Sequence, residues 1–242
     1  MIARKGSFVI SDLMSPKTAL SCLIFFIILF PVILFADSGD KQKDYDKYIE
    51  TLKQEVKQHP NNTEAYYRLG VAYDGLGRYQ EAIKAYKNAL KINPKDIYSS
   101  YNLGVVYGKA GMFKEAIEAY KNEISVNPKE PDAYYNLGLA YVKLGMYKDA
   151  AEAYEKAIEI NPHDTDALLN LGIAYGESEK FKEAIKTFKK VLELAPDAVK
   201  AHYNIAISHL RLNDRDAALK EYEILKGLDP QIAQKLLGEI NK

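Results

Sequence analysis

The 242-residue sequence has no tryptophan and one cysteine. A single thiol excludes an intrachain disulfide framework and any metal site built from cysteines. That thiol, Cys22, lies outside the part of the chain that could fold in water. Most of an apolar run follows it, so it is not placed like a lipoprotein acceptor cysteine. Excess charge is missing too, with 33 basic against 33 acidic residues. Without clustered Lys and Arg there is no general means of releasing counterions from a phosphate backbone, so a nucleic-acid partner is excluded. No glycine-rich phosphate loop and no catalytic constellation occur, which leaves no cofactor to expect and no enzymatic activity.

One segment is strongly apolar. Ala19 to Ala36, ALSCLIFFIILFPVILFA, carries no charge over 18 positions and follows Arg4, Lys5 and Lys17. As a helix it rises about 27 Å, close to the hydrocarbon thickness of a bilayer. A cleaved signal peptide has a shorter apolar region and small residues before the cut. Ala36 suits such a cut, but Leu34 two places earlier does not, so an uncleaved signal anchor fits better. Lysines on both sides of the run (Lys17 before, Lys41, Lys43 and Lys47 after) leave the positive-inside rule nearly balanced. The N-terminal position favours a single-pass protein with its folded part on the exoplasmic or periplasmic side. An exported soluble protein and a cytoplasm-facing domain are the alternatives.

The remainder has a period of 34 residues. Gly70, Gly104, Gly138 and Gly172 keep it, with Ala206 in the next place. Leu69, Leu103, Leu137, Leu171 and Ile205 precede them, and Tyr73, Tyr107, Tyr141, Tyr175 and His209 follow. Ala82, Ala116, Ala150, Ala184 and Ala218 keep step, as do Tyr86, Tyr120, Tyr154, Phe188 and Tyr222. Pro94, Pro128, Pro162, Pro196 and Pro230 close each unit. Each unit reads as two helices joined at Gly77, Gly111 or Gly145, where positive φ is cheap. The second helix ends at Asn-Pro, because proline disfavours α conformation in the residue before it. Neither helix can bury its apolar stripe alone, so neighbouring units must supply the core.

This pattern resembles the tetratricopeptide repeat family over about Thr63 to Ile232. The resemblance implies an all-α, right-handed solenoid of 34-residue helix–turn–helix units. Five units are expected, at 63–96, 97–130, 131–164, 165–198 and 199–232. Glu179 and Asn213 replace the turn glycine and His209 replaces the tyrosine, which makes the C-terminal end the least regular. The chain before them divides into a tail at 1–18, the transmembrane or signal helix at 19–36, and a tether and capping helix at 37–62. Within the last, Asp37 to Lys43 read as tether and Asp44 to Gln58 as helix, with Tyr45, Tyr48, Ile49, Leu52 and Val56 in one stripe. A C-terminal capping helix is expected at 231–242, striped by Ile232, Leu236, Leu237 and Ile240.

At about 100° per residue the first helix of a unit has two faces. In the third unit Tyr134, Leu137, Gly138 and Tyr141 form the packing seam, and Gly138 lets the helices approach closely. Asp132, Tyr135, Asn136, Leu139, Val142 and Lys143 lie opposite, on the side that in this family lines a concave groove. Three rows follow across the units. One is Tyr67, Tyr101, Tyr135, Leu169 and Tyr203; the next is Arg68, Asn102, Asn136, Asn170 and Asn204; the third is Val71, Val105, Leu139, Ile173 and Ile207. An amide offers both a donor and an acceptor to an extended backbone, and some peptide-binding members use such an asparagine ladder. The resemblance therefore implies a protein partner, an extended peptide or an amphipathic helix, and self-association is the alternative. Ancestry alone is a competing reason for four asparagines. Members that bind chaperone tails use a basic clamp, but Tyr67 and Val71 stand where its first Lys and Asn would be. The four histidines, His59, His163, His202 and His209, show no metal-binding spacing. His202 and His209 occupy seam places.

Overall fold

The structure, a computed structural model, describes residues 38–241. The tail, the apolar run at 19–36 and Cys22 lie outside the described residues. Among the described residues there are twelve helices and no strand, and none of those helices is long and apolar enough to cross a membrane. The chain divides into two units, one ending at Pro60 and one beginning at Asn61.

The first unit contributes α1, Ser38–Gln58. The helix begins within the stretch read from sequence as a tether, so that stretch is helical from Ser38. Polar side chains support it along the exposed face: Gln42 donates to Asp46 at 3.2 Å and Gln54 to Glu50 at 3.1 Å, spacings that favour an isolated helix. Its least exposed side chains are Tyr45, Tyr48, Ile49, Leu52 and Val56, apart from Glu55 between them.

The second unit is a run of helix pairs. They are α2 (Thr63–Gly75) with α3 (Tyr79–Ile92), α4 (Ile97–Lys109) with α5 (Phe113–Val126), and α6 (Pro131–Lys143) with α7 (Tyr147–Ile160). Then come α8 (Thr165–Glu177) with α9 (Phe181–Leu194), α10 (Val199–Arg211) with α11 (Arg215–Leu228), and a last helix α12 (Pro230–Ile240). Short polar side chains start several of them. Asn62, Asp96 and Asp164 accept from the N–H groups of Ala65, Ser99 and Ala167 at 2.9–3.2 Å, satisfying donors that a helix start leaves open. The second helices stop where sequence places the stop. Asn93, Asn127 and Asn161 sit at φ of −124° to −128° just before a proline.

The turn inside each pair is one geometry repeated five times. The N–H of Arg78 reaches the carbonyl of Tyr73 at 2.9 Å and that of Gly77 reaches Asp74 at 2.8 Å, the double closure of a Schellman turn. Met112, Met146, Lys180 and Asp214 close on Tyr107, Tyr141, Tyr175 and His209 at 2.8–2.9 Å. Gly77, Gly111 and Gly145 have φ of 68–73°, and Glu179 at 62° and Asn213 at 60° adopt the same conformation without glycine.

The other glycine of the repeat sets the spacing of the pair. A Cβ at Gly70, Gly104, Gly138 or Gly172 would lie 2.4–2.6 Å from the ring of Tyr86, Tyr120, Tyr154 or Phe188. Those rings are buried to within 5% exposure and have nowhere to go. Overpacking costs about 1–3 kcal/mol, against about 1 kcal/mol that alanine gains over glycine in a helix, so packing wins. The fifth unit has Ala206 there, fully buried, and its partner ring Tyr222 is only half-buried. The helix α12 closes this end: Ala233, Leu236 and Ile240 join Ala206, Ala218 and Leu225 in one cluster. Ile232 and Leu237, two positions of the expected stripe, are half-buried, and Ala233 takes the central place.

Candidate functional site

Within residues 61–241 the first helices of adjacent pairs also touch one another: α2 with α4, α4 with α6, α8 with α10. Helices that meet their counterparts directly lie on the inner side of a curved stack. All three rows expected to face a groove lie on these helices, and every member, from Tyr67 to Ile207, is half-buried. The seam residues differ. Leu69, Leu103, Leu137, Leu171 and Ile205 are 1–7% exposed.

The four asparagines divide into two kinds. Asn170 donates its amide hydrogen to the Tyr135 hydroxyl at 3.1 Å, and Asn136 to that of Tyr101 at 3.5 Å. These bonds tie each first helix to the one before it. Asn204 has Leu169 at the corresponding place, with no hydroxyl to meet, and turns back to the Lys200 carbonyl at 2.8 Å. Asn102 likewise bonds the Tyr98 carbonyl at 2.8 Å, while the Tyr67 ring lies 6.1 Å from Tyr86 and 6.2 Å from Tyr98. In all four the amide oxygen accepts no hydrogen bond among the described residues. The row therefore leaves its amide oxygens open as acceptors.

The tyrosines behind them stay protonated. Burial and then the Asp132 carboxylate push the Tyr101 phenol up to about 12, with the Asn136 bond acting weakly the other way. Burial, then Asp166 and Asp164, raise that of Tyr135 as well. Both hydroxyls remain donors at neutral pH.

Other polar pairs belong to the packing. The buried His202 ring sits 2.6 Å from Glu221 and 3.0 Å from the Pro196 carbonyl. Tyr175 donates to Glu155, and Lys109 bridges to Asp74 of the preceding pair at 2.7 Å. Among the described residues no group of His, Cys, Asp and Glu is arranged to hold a metal ion.

Sequence reading missed a cavity beside these rows. A cavity of about 260 Å³ lies between α8 and α10, lined by Gly172, Ile173, Gly176, Phe188, Asn204, Ile207, Ser208 and the charged Glu177, Glu179 and Arg211. Ile173, Asn204 and Ile207 stand in the expected rows; Gly176 and Phe188 do not. The available signal was a departure of the fourth unit from the other units, at positions where the period alone attracts no notice.

Comparison with known proteins agrees with this architecture. Sequence models of the tetratricopeptide repeat match residues 63–96 and 131–164, and others match 85–118, 109–145 and 169–231. No curated protein sequence matches. Among solved structures, one of MamA is 35% identical with a TM-score of 0.60, covering 67% of this chain and 97% of that one. A second structure of MamA is 27% identical with a TM-score of 0.66, covering 71% and 94%. YrrB, described as a TPR protein with an unusual peptide-binding site, is 23% identical with a TM-score of 0.69 over 77% and 97%, a likeness of fold. With its repeated Schellman turns, its glycine-spaced helix pairs and these matches, the chain belongs to the tetratricopeptide repeat family.

Proposed function

We propose that this protein is a non-catalytic adaptor that holds a segment of another protein in the groove of its repeats. What supports the reading is the row of amide oxygens left without a donor among the described residues on Asn102, Asn136, Asn170 and Asn204, beside the tyrosine row and Val71, Val105, Leu139, Ile173 and Ile207. Backbone N–H groups of an extended ligand match such acceptors, and the aliphatic strip grips its side chains. Each bond contributes about 0.5–1.5 kcal/mol net, so four in register decide between weak and useful binding.

Selection of random dodecapeptides on phage against the full-length chain tests this. Replacing the four asparagines with alanine should preserve the helical circular-dichroism spectrum and lower affinity for the selected peptides by at least about tenfold. Unchanged affinity would make the asparagines structural only.

The apolar run at 19–36 is proposed to anchor the adaptor in a membrane, with the repeats on the exoplasmic or periplasmic side. Its length and lack of charge support this reading. The full chain should resist alkaline extraction of membranes and keep its N-terminus, and protease added from the exoplasmic side should digest the repeats. A soluble product beginning after Ala36 would replace the anchor with a cleaved export signal.

A further inference from the structure

The fourth unit departs from its neighbours at three places in one region. Leu169 stands where the other units have Tyr67, Tyr101, Tyr135 and Tyr203. Phe188 stands where the first three have tyrosine, and so lacks the hydroxyl that Tyr86 and Tyr154 bury without a partner. In those units the two tyrosines are ring partners at 5.8–6.4 Å, so the fourth unit has lost both hydroxyl-bearing rings of the pair. Gly176 stands where Asp74, Val142 and Leu210 stand, a place that is also glycine in the second unit.

Packing does not require Gly176. A Cβ at Gly172 would lie 2.4 Å from Phe188, whereas one at Gly176 meets nothing within 4 Å. A helical glycine costs about 1 kcal/mol relative to alanine, and here the fold gains nothing in return. What the missing side chain leaves is open space in the cavity of about 260 Å³. Pockets for drug-sized ligands run to about 300–1,000 Å³; this one falls below that range and has room for a side chain.

The mouth is charged and strained. Glu179 holds φ at 62° in a turn where three other units use glycine, a conformation that costs a side-chain-bearing residue about 1–2 kcal/mol. Glu177 and Glu179 line one wall and Arg211 the other, all three exposed and in no ion pair among the described residues. Two carboxylates against one guanidinium leave the mouth negative. Strain kept at a binding surface points to a use for the side chain that causes it.

We infer that this cavity is the specificity pocket of the groove, taking one aliphatic side chain of the bound polypeptide while Glu177 and Glu179 hold a basic residue beside it. The inference rests on the groove reading above and names what the groove selects.

The same phage selection on the full-length chain tests it. Wild type should enrich peptides that place Leu, Ile or Met next to Lys or Arg. Gly176→Leu, which gives the fourth unit the residue of the fifth, should leave the melting temperature unlowered and weaken those peptides at least tenfold. Glu179→Gly should raise the melting temperature and abolish the preference for the basic neighbour. Should Gly176→Leu fail to fold, Phe188→Tyr places the hydroxyl of the other units at the cavity floor and is expected to weaken binding likewise. Wild-type affinity in folded Gly176→Leu, or enriched peptides without an aliphatic–basic pair, overturns the pocket while the groove stands. No enrichment by wild type overturns the groove reading, and the pocket with it.

Discussion

At the scale of single residues, Glu123 is the side chain least suited to its place. Ala89, Ala157, Val191 and Leu225 fill the equivalent positions, all buried. Glu123 is 4% exposed and its Oε2 has no partner. Burial, with Glu130 and Asp132 adding like charge, pushes its carboxyl up to about 8 from the ordinary 4.5. The folded chain therefore keeps a proton that the unfolded chain releases at the ordinary value. Between the two values the native state binds more protons, so stability falls as pH rises from about 4.5 to about 8 and levels off above. The cost in the ionised form is on the order of a few kcal/mol. Glu123→Ala, which restores the residue of the first and third units, should raise the melting temperature at pH 8 and have little effect near pH 4.5. Parallel melting-temperature profiles for the two proteins across that window would show that Glu123 is not buried as described.

At the scale of elements, much of the fold was legible because each helix boundary has a local cause that recurs. A proline stops the second helices, after Asn in three of the five, and a residue at positive φ, glycine in three of the five, turns the first into the second. The glycine after leucine admits an aromatic ring from the partner helix. What the period hides is whatever changes from unit to unit. It cannot say that Glu179 and Asn213 keep the turn conformation, because the demand comes from the Schellman closure on Tyr175 and His209. It cannot separate Asn136 and Asn170 from Asn102 and Asn204 either. Their bonds depend on which residue stands 35 positions earlier and where its ring points: Leu169 has no hydroxyl to offer Asn204, and Tyr67 packs between other rings. The cavity needed the departures at positions 176 and 188, which both line it, to be seen together in space. The polar stretch before Asp44 joined α1 because nothing between Asp40 and Gln58 breaks a helix, which composition alone did not reveal.

At the scale of the molecule, the repeat unit from Asn61 onward is joined almost wholly by neighbours. Its helices pack on the next helix in the chain or on the next first helix, so no contact of consequence spans distant units. Stability in such an array is a sum of unit and interface terms, and parts of it open separately. The terms here are unequal. The second unit buries Ser99, Ser100 and Glu123, with the Ser99 hydroxyl unpartnered, where the fourth buries Ala167, Leu168 and Val191. Burying a polar group without a partner costs about 1–3 kcal/mol. Hydrogen exchange should therefore show weaker protection in α4 and α5 than in α8 and α9, and the difference should shrink in Glu123→Ala. The calorimetric enthalpy of unfolding should also exceed the van 't Hoff value, because the array does not melt as one cooperative block. Equal enthalpies with uniform protection would mean that the interfaces couple all five pairs more tightly than contacts between neighbours allow.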